Sequence, residues 1–264
     1  VEDPLDLSCW PPFPLGVLGV VDSYRIDSRW LDQAANRLPL VAVDDGRSFP
    51  LEEQVGGVLN YNLHAPNLGY GGEGLLLLGP RFALLRPAFW GLEPRQGEGV
   101  LLVAGASDPS GVTGTVLSWW RRDWPRLEAV LGPLASPQER ARCHVFARDR
   151  GNAEVRDAPP DLPERMARAG RVLCTSSVTC YEALGLRKPL GVFQVADNQV
   201  PIGAAVAAQG LGANLGSWGT WGPEELDRWL RSVPSSPPGV VNPRGALEAA
   251  EALRRFAETK GGLS

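Results

Sequence analysis

The chain has 264 residues, 44% of them hydrophobic, and a formal net charge of −4. That length suits one large core or two modest ones, so two domains of ordinary size are expected. The acidic balance gives no electrostatic reason to expect a nucleic acid or an anionic membrane as partner. No apolar run approaches the ~20 residues of a membrane span and no charged-then-apolar leader opens the chain, which reads as cytoplasmic.

Cys9, Cys143, Cys174 and Cys180 lack the paired spacing of a zinc site or a disulfide framework, and no metal or cofactor is expected. Residues 1–16 hold four prolines and no convincing period, and read as a lead-in loop. Val17 to Val21 is a continuous apolar run of the buried parallel-strand kind, with Asp22-Ser23-Tyr24 at its carboxyl end. Ser28 to Ala35 predicts a short amphipathic helix and Leu38 to Val43 a second strand ending in Asp44-Asp45. Val58 to Asn62 is a third strand, bringing Asn60 and Asn62, and His64 follows on a polar loop. Leu75 to Phe89 closes the first domain. Val100 to Ala104 is a strand running into Gly105-Ala106-Ser107-Asp108-Pro109, a turn that lets backbone amides reach a diphosphate but that also follows many unrelated strands.

Val112 to Trp124 is helical in pattern, and Trp119, Trp120 and Trp124 are expected to pack on a sheet. Arg140 to Ala147 reads as a strand with His144 inside it, and Leu162 to Ala169 as a helix. The densest pattern is Arg171 to Gln199. An apolar strand meets Thr175-Ser176-Ser177, a helix runs from Val178 to Gly185, and a second strand, Leu190 to Val195, ends in Ala196-Asp197-Asn198-Gln199. Small residues at such a helix start suit an anion, and Glu182 is placed to accept hydrogen bonds from a ribose. The same residues equally suit a plain serine cap and a solvated glutamate. Helices are expected over Gly203 to Gln209, Glu224 to Val233 and Ala246 to Thr259. Alternating strands and helices predict an α/β fold with parallel sheets, divided at about residues 1–94 and 95–264.

Ser176-Ser177-x-Thr179-x-x-Glu182-Ala-Leu-x-Leu-x-x-Pro189 with Ala196-Asp-Asn-Gln199, and Gly79-Pro-x-Phe82-Ala-Leu-Leu-Arg86-x-x-Phe89, resemble the UDP-2,4-diacetamido-2,4,6-trideoxy-β-L-altropyranose hydrolases of pseudaminic acid biosynthesis and their spore-coat-polysaccharide relatives. The resemblance implies two Rossmann-like domains of the glycosyltransferase-B type facing each other across a cleft, the first incomplete. It implies hydrolysis of a UDP-sugar, with water attacking the anomeric carbon and UDP leaving. The family's Gly-x-Gly-His-x-x-Arg turn, which carries its base, has no counterpart here, so about two βα units, roughly 60 residues, read as missing. The family's usual tyrosine is Phe82 here. By the same likeness Tyr24 and Asn198 act on the sugar. Asn60, Asn62, Gly105, Ala106, Ser107, Ser176, Ser177, Glu182 and Gln199 contact the UDP-sugar substrate. A UDP-sugar glycosyltransferase and a non-catalytic nucleotide-sugar-binding remnant stand as alternatives, and the pattern leaves the oligomeric state open.

Overall fold

The computed structural model describes residues 3, 5–14 and 16–261, which form two compact units. The first comprises residues 1–84 and 244–264 and the second residues 85–243. In the first, strands β1 (Gly19–Val21), β2 (Leu40–Val43), β3 (Gly57–Asn60) and β4 (Leu75–Leu78) make one parallel sheet in chain order. Helix α1 (Ser28–Ala35) starts where Asp27 accepts the Trp30 amide at 2.8 Å.

Side-chain alternation along the strands splits the first core in two. Leu40, Ala42 and Val58 join Leu31 and Ala34 of α1 on one face. Val41, Leu59 and Leu77 point to the other, where they meet Ala249 with Ala252, Leu253 and Phe256. Those four recur at i, i+3, i+4 and i+7 of the last helix, one face of a 3.6-residue period.

In the second unit, β5 (Val100–Val103), α2 (Val112–Trp119), β6 (Leu127–Leu131), α3 (Pro137–Arg150), β7 (Ala153–Asp157), α4 (Leu162–Arg168), β8 (Arg171–Thr175), α5 (Val178–Gly185), β9 (Leu190–Gln194), α6 (Val200–Ala208), β10 (Ala213–Ser217) and α7 (Pro223–Arg231) alternate. The helix α8 (Gly245–Gly261) returns to the first unit. Six strands form a parallel sheet in the order β10-β9-β8-β5-β6-β7. The chain builds outward from β5 through β6 and β7, then returns to the far side of β5 with β8. The crevice between the carboxyl ends of β5 and β8 is therefore the topological switch point, where open α/β sheets bind ligands.

Three sequence expectations need correction. Arg140 to Ala147 is not a strand but the middle of α3, which begins at Ser136-Pro137 with the Ser136 hydroxyl accepting the Glu139 amide at 3.1 Å and ends at Gly151 in left-handed conformation. A serine followed three residues later by glutamate, with proline at the first helical position, outweighs the local apolar run. His144 consequently lies on a helix surface, with Nε2 2.8 Å from Asp157. Strands β6, β7 and β10 are not legible in the apolar pattern, because Glu128, Arg156 and Gly216 interrupt it. The final helix, expected to close the second domain, packs on the first sheet.

Trp120 anchors the second core. It is fully buried, donates Nε1–H to the Pro125 carbonyl at 3.0 Å, and meets Trp124 edge-on at 5.1 Å between ring centres. Trp120→Ala should lower the unfolding free energy of the second unit by about 3–5 kcal/mol, the usual loss for emptying a buried aromatic site, measured by urea unfolding.

Candidate functional site

Two helices start beside the switch point, and their exposed amides are treated differently. The first four N–H groups of any helix lack a partner within it and must find one elsewhere. At α2 the partners are carboxylates. Asp108 is buried and accepts the Val112 amide at 2.9 Å on one oxygen and the Thr113 amide at 2.8 Å on the other. Glu139 of α3 accepts the Gly114 amide at 3.1 Å. Asp108 is held at φ +44°, a left-handed geometry that aspartate tolerates better than most residues. The positive end of α2 is thus already covered by negative charge.

Among the described residues, no carboxylate caps the start of α5. Ser177 precedes the helix without a side-chain cap; its hydroxyl pairs instead with Thr175 Oγ1 at 2.8 Å and its amide with the Thr175 carbonyl. The Cys180 amide folds back to the Ser177 carbonyl. Among the described residues, the amides of Val178 and Thr179 have no partner, which leaves this helix start open to an anion.

A cavity of about 520 Å³ opens beside these amides. One wall is Gly105 and Ala106 after β5 with Ser177, Val178 and Thr179. The opposite side is formed by Leu131, Gly132 and Pro133 after β6 and by Ala158, Pro159 and Leu162 after β7. Gly132 is required where it stands: a Cβ there would lie 2.2 Å from the Ala106 carbonyl oxygen. Gly105 adopts φ +101°, which also favours glycine.

Glu182 and Arg86 are the charged residues lining the cavity. Glu182 is 3% exposed, and Arg86 Nε and Nη2 each lie 3.0 Å from its Oε1. Burial pushes the Glu182 carboxyl above its ordinary pKa, while the Arg86 charge and hydrogen bond pull the other way.

The expected contact residues divide accordingly. Gly105, Ala106, Ser177 and Glu182 come together on the cavity. Ser107 is exposed and outside its lining. Ser176 is fully buried between β8 and β9: its amide and hydroxyl both donate to the Phe193 carbonyl and its Oγ accepts Gln194 Nε2 at 2.9 Å. Its amide is therefore not available to a diphosphate. Gln199 accepts the Val195 amide at 3.0 Å, and Asn198 lies exposed on the 3-10 turn Asp197–Gln199; neither lines the cavity.

In the first unit, Tyr24, Asn60 and Asn62 meet in one hydrogen-bonded network at the carboxyl ends of the strands. Tyr24, 82% exposed, donates its hydroxyl to Asp45, which also accepts Asn62 Nδ2 at 2.9 Å. Asn60 is fully buried, accepting the Asn62 amide at 3.0 Å and donating to Tyr70, which donates to Asp44. His64 Nε2 lies 3.2 Å from the Asp45 carbonyl oxygen. Burial, with Asp45 and Asp22 nearby, pushes the Tyr61 phenol up to about 12. Among the described residues no group of three or more metal-binding side chains forms and no helix is long and apolar enough to cross a membrane.

Sequence reasoning missed Arg86, read only as part of a closing run, and the walls after β6 and β7. Asp108 carried a local signal, an aspartate shortly before a helix, but its partners are set by the turn's geometry.

No family model matches the chain, and no curated protein does either. Solved structures do resemble it. MurG of Acinetobacter baumannii superposes with a TM-score of 0.59 at 13% identity, over 87% of this chain and 69% of that one. MnaA of S. aureus, in a co-structure with UDP, gives 0.59 at 12% identity, over 91% and 76%. The glycotransferase of kitacinnamycin gives 0.54 at 16%, over 93% and 72%. At such identities the likeness is one of fold, and the fold is the α/β glycosyltransferase-B type, with two parallel Rossmann-like sheets.

Two outcomes follow from the carboxylates. Asp108→Ala should cost about 1–2 kcal/mol in urea unfolding through loss of the α2 cap. Glu182 binds its proton more tightly folded than unfolded, so it costs stability as pH rises from the ordinary carboxyl range through the raised value. Glu182→Gln should therefore raise the thermal midpoint more at pH 8 than at pH 4, read by calorimetry.

Proposed function

We propose that the second unit binds a UDP-linked sugar and that the protein transfers this sugar to an acceptor hydroxyl. The observation that carries the reading is the cavity at the switch point, with the uncapped start of α5 beside the buried carboxylate of Glu182. The diphosphate would lie on the Val178 and Thr179 amides, against the positive end of α5. Glu182 would accept the ribose hydroxyls, and the base would occupy the side walled by Pro133 and Pro159. In transfer, the bond between the anomeric carbon and the UDP oxygen breaks, its electron pair leaving with the diphosphate. The acceptor oxygen bonds that carbon and gives its proton to a base. Donors fixed on the departing diphosphate favour this step because they meet charge as it develops. The UDP of the MnaA co-structure and the glycotransferase with a similar fold support the reading.

Hydrolysis is the second reading, with water in place of the acceptor. The Ser176 to Pro189 pattern and the Gly79 to Phe89 pattern favour it, by their likeness to the hydrolases named above. In either case Asn198, exposed beyond the carboxyl end of β9 in the second unit, is proposed to act on the sugar.

UDP should bind more tightly than UMP in calorimetry, since UMP lacks the second phosphate for α5. Glu182→Ala should weaken UDP binding by about 1–3 kcal/mol, the range for a lost charged hydrogen bond, and should leave UDP and dUDP nearly equal. An unchanged dissociation constant would sink the ribose assignment. Release of UDP from UDP-sugars without any acceptor would select hydrolysis, whereas release that requires an added acceptor would select transfer.

A further inference from the structure

Resting on the UDP-binding reading, we propose that Arg86 is a positioning residue that makes Glu182 a ribose acceptor, and so sets the site's preference for ribonucleotides over 2′-deoxyribonucleotides. The geometry is asymmetric. Both guanidinium contacts, at 3.0 Å, fall on Oε1 of Glu182, so Oε2 remains for a ligand hydroxyl pair. The guanidinium is itself fixed by the ring of Phe89, a buried residue, at 5.2 Å from its centre. Arg86 is more than half exposed while Glu182 is buried, so the arginine can hold the carboxylate from the cavity side without itself being desolvated.

A buried carboxylate without a partner takes up a proton rather than stay charged. A protonated carboxyl has one acceptor oxygen fewer to offer and donates where the ribose also donates. Arg86 opposes this by charge and by orientation. The Cys174 thiol of β8 also interacts with Glu182, and burial keeps that thiol neutral. Among the described residues, no second cation lines the cavity to replace Arg86.

The test is calorimetry of UDP and dUDP from pH 6 to pH 8 on the unchanged chain, Arg86→Gln and Arg86→Lys. The unchanged chain should prefer UDP by about tenfold throughout, as for one charged hydrogen bond. Arg86→Gln should lose most of that preference at pH 6 and regain part of it at pH 8, as Glu182 ionises. Arg86→Lys, which keeps the charge without the fork, should retain more of it at pH 6. A cooperative melt checks folding, and Arg86→Met, which keeps the stem, gives the same outcomes should the glutamine variant unfold. Full preference in the folded neutral variants at every pH overturns the inference while leaving UDP binding intact. Equal weakening of UDP and dUDP also overturns it, since that would place Arg86 on the phosphates. Failure of the unchanged chain to bind UDP overturns the underlying reading, and this inference with it.

Discussion

A buried backbone amide must have a partner, and the second unit depends on how that requirement is met at two neighbouring helices. Asp108 and Glu139 cover the start of α2 with carboxylates, whereas at α5 the Thr175-Ser176-Ser177 hydroxyls turn to one another and to the adjoining strands. Negative charge repels a phosphate where it already sits, so of these two helix starts only α5 suits a diphosphate. Ser176, which sequence alone places in the anion site, is what makes this possible: its bonds to β9 fix the turn from which α5 departs.

The walls of the cavity follow from close backbone approach. Gly132 lets the β6 loop lie against the turn after β5, and the Leu134 amide reaches the Ala106 carbonyl at 2.9 Å. A side chain at residue 132 would push the loops apart. The resulting cavity is mostly apolar, with one acid and one base on its lining, a composition suited to orienting a ligand by a few polar contacts.

In the first unit the polar residues at the strand ends form a closed network, not isolated groups. Asp44 and Asp45 gather Tyr24, Asn62 and Tyr70, and Asn60 joins them through Tyr70 and the Asn62 amide. Asn60 and Asn62 are buried, so their hydrogen bonds serve the fold of this rim, while Tyr24 stands exposed with its hydroxyl held by Asp45. The same burial that orders the rim keeps the Tyr61 phenol protonated to about pH 12.

The amino-acid sequence by itself determined the α/β class, the two-unit plan and the strand–helix–strand of Arg171 to Gln199, because continuous apolar runs, helix stops and small-residue turns act over a few neighbours. It misread α3, where a capping pattern overrode a short apolar stretch, and passed over β6, β7 and β10, whose charged or glycine residues are tolerated only because adjacent strands supply the pairing. Glu182 was legible as an acid near a helix start; that it is buried and held by Arg86, ninety-six positions away, was not. The tertiary structure alone decided which helix start stays open, which serines brace the sheet, and that α8 covers the first sheet. Each of these rests on contacts between residues distant in the chain, and local periodicity carries no information about such partners.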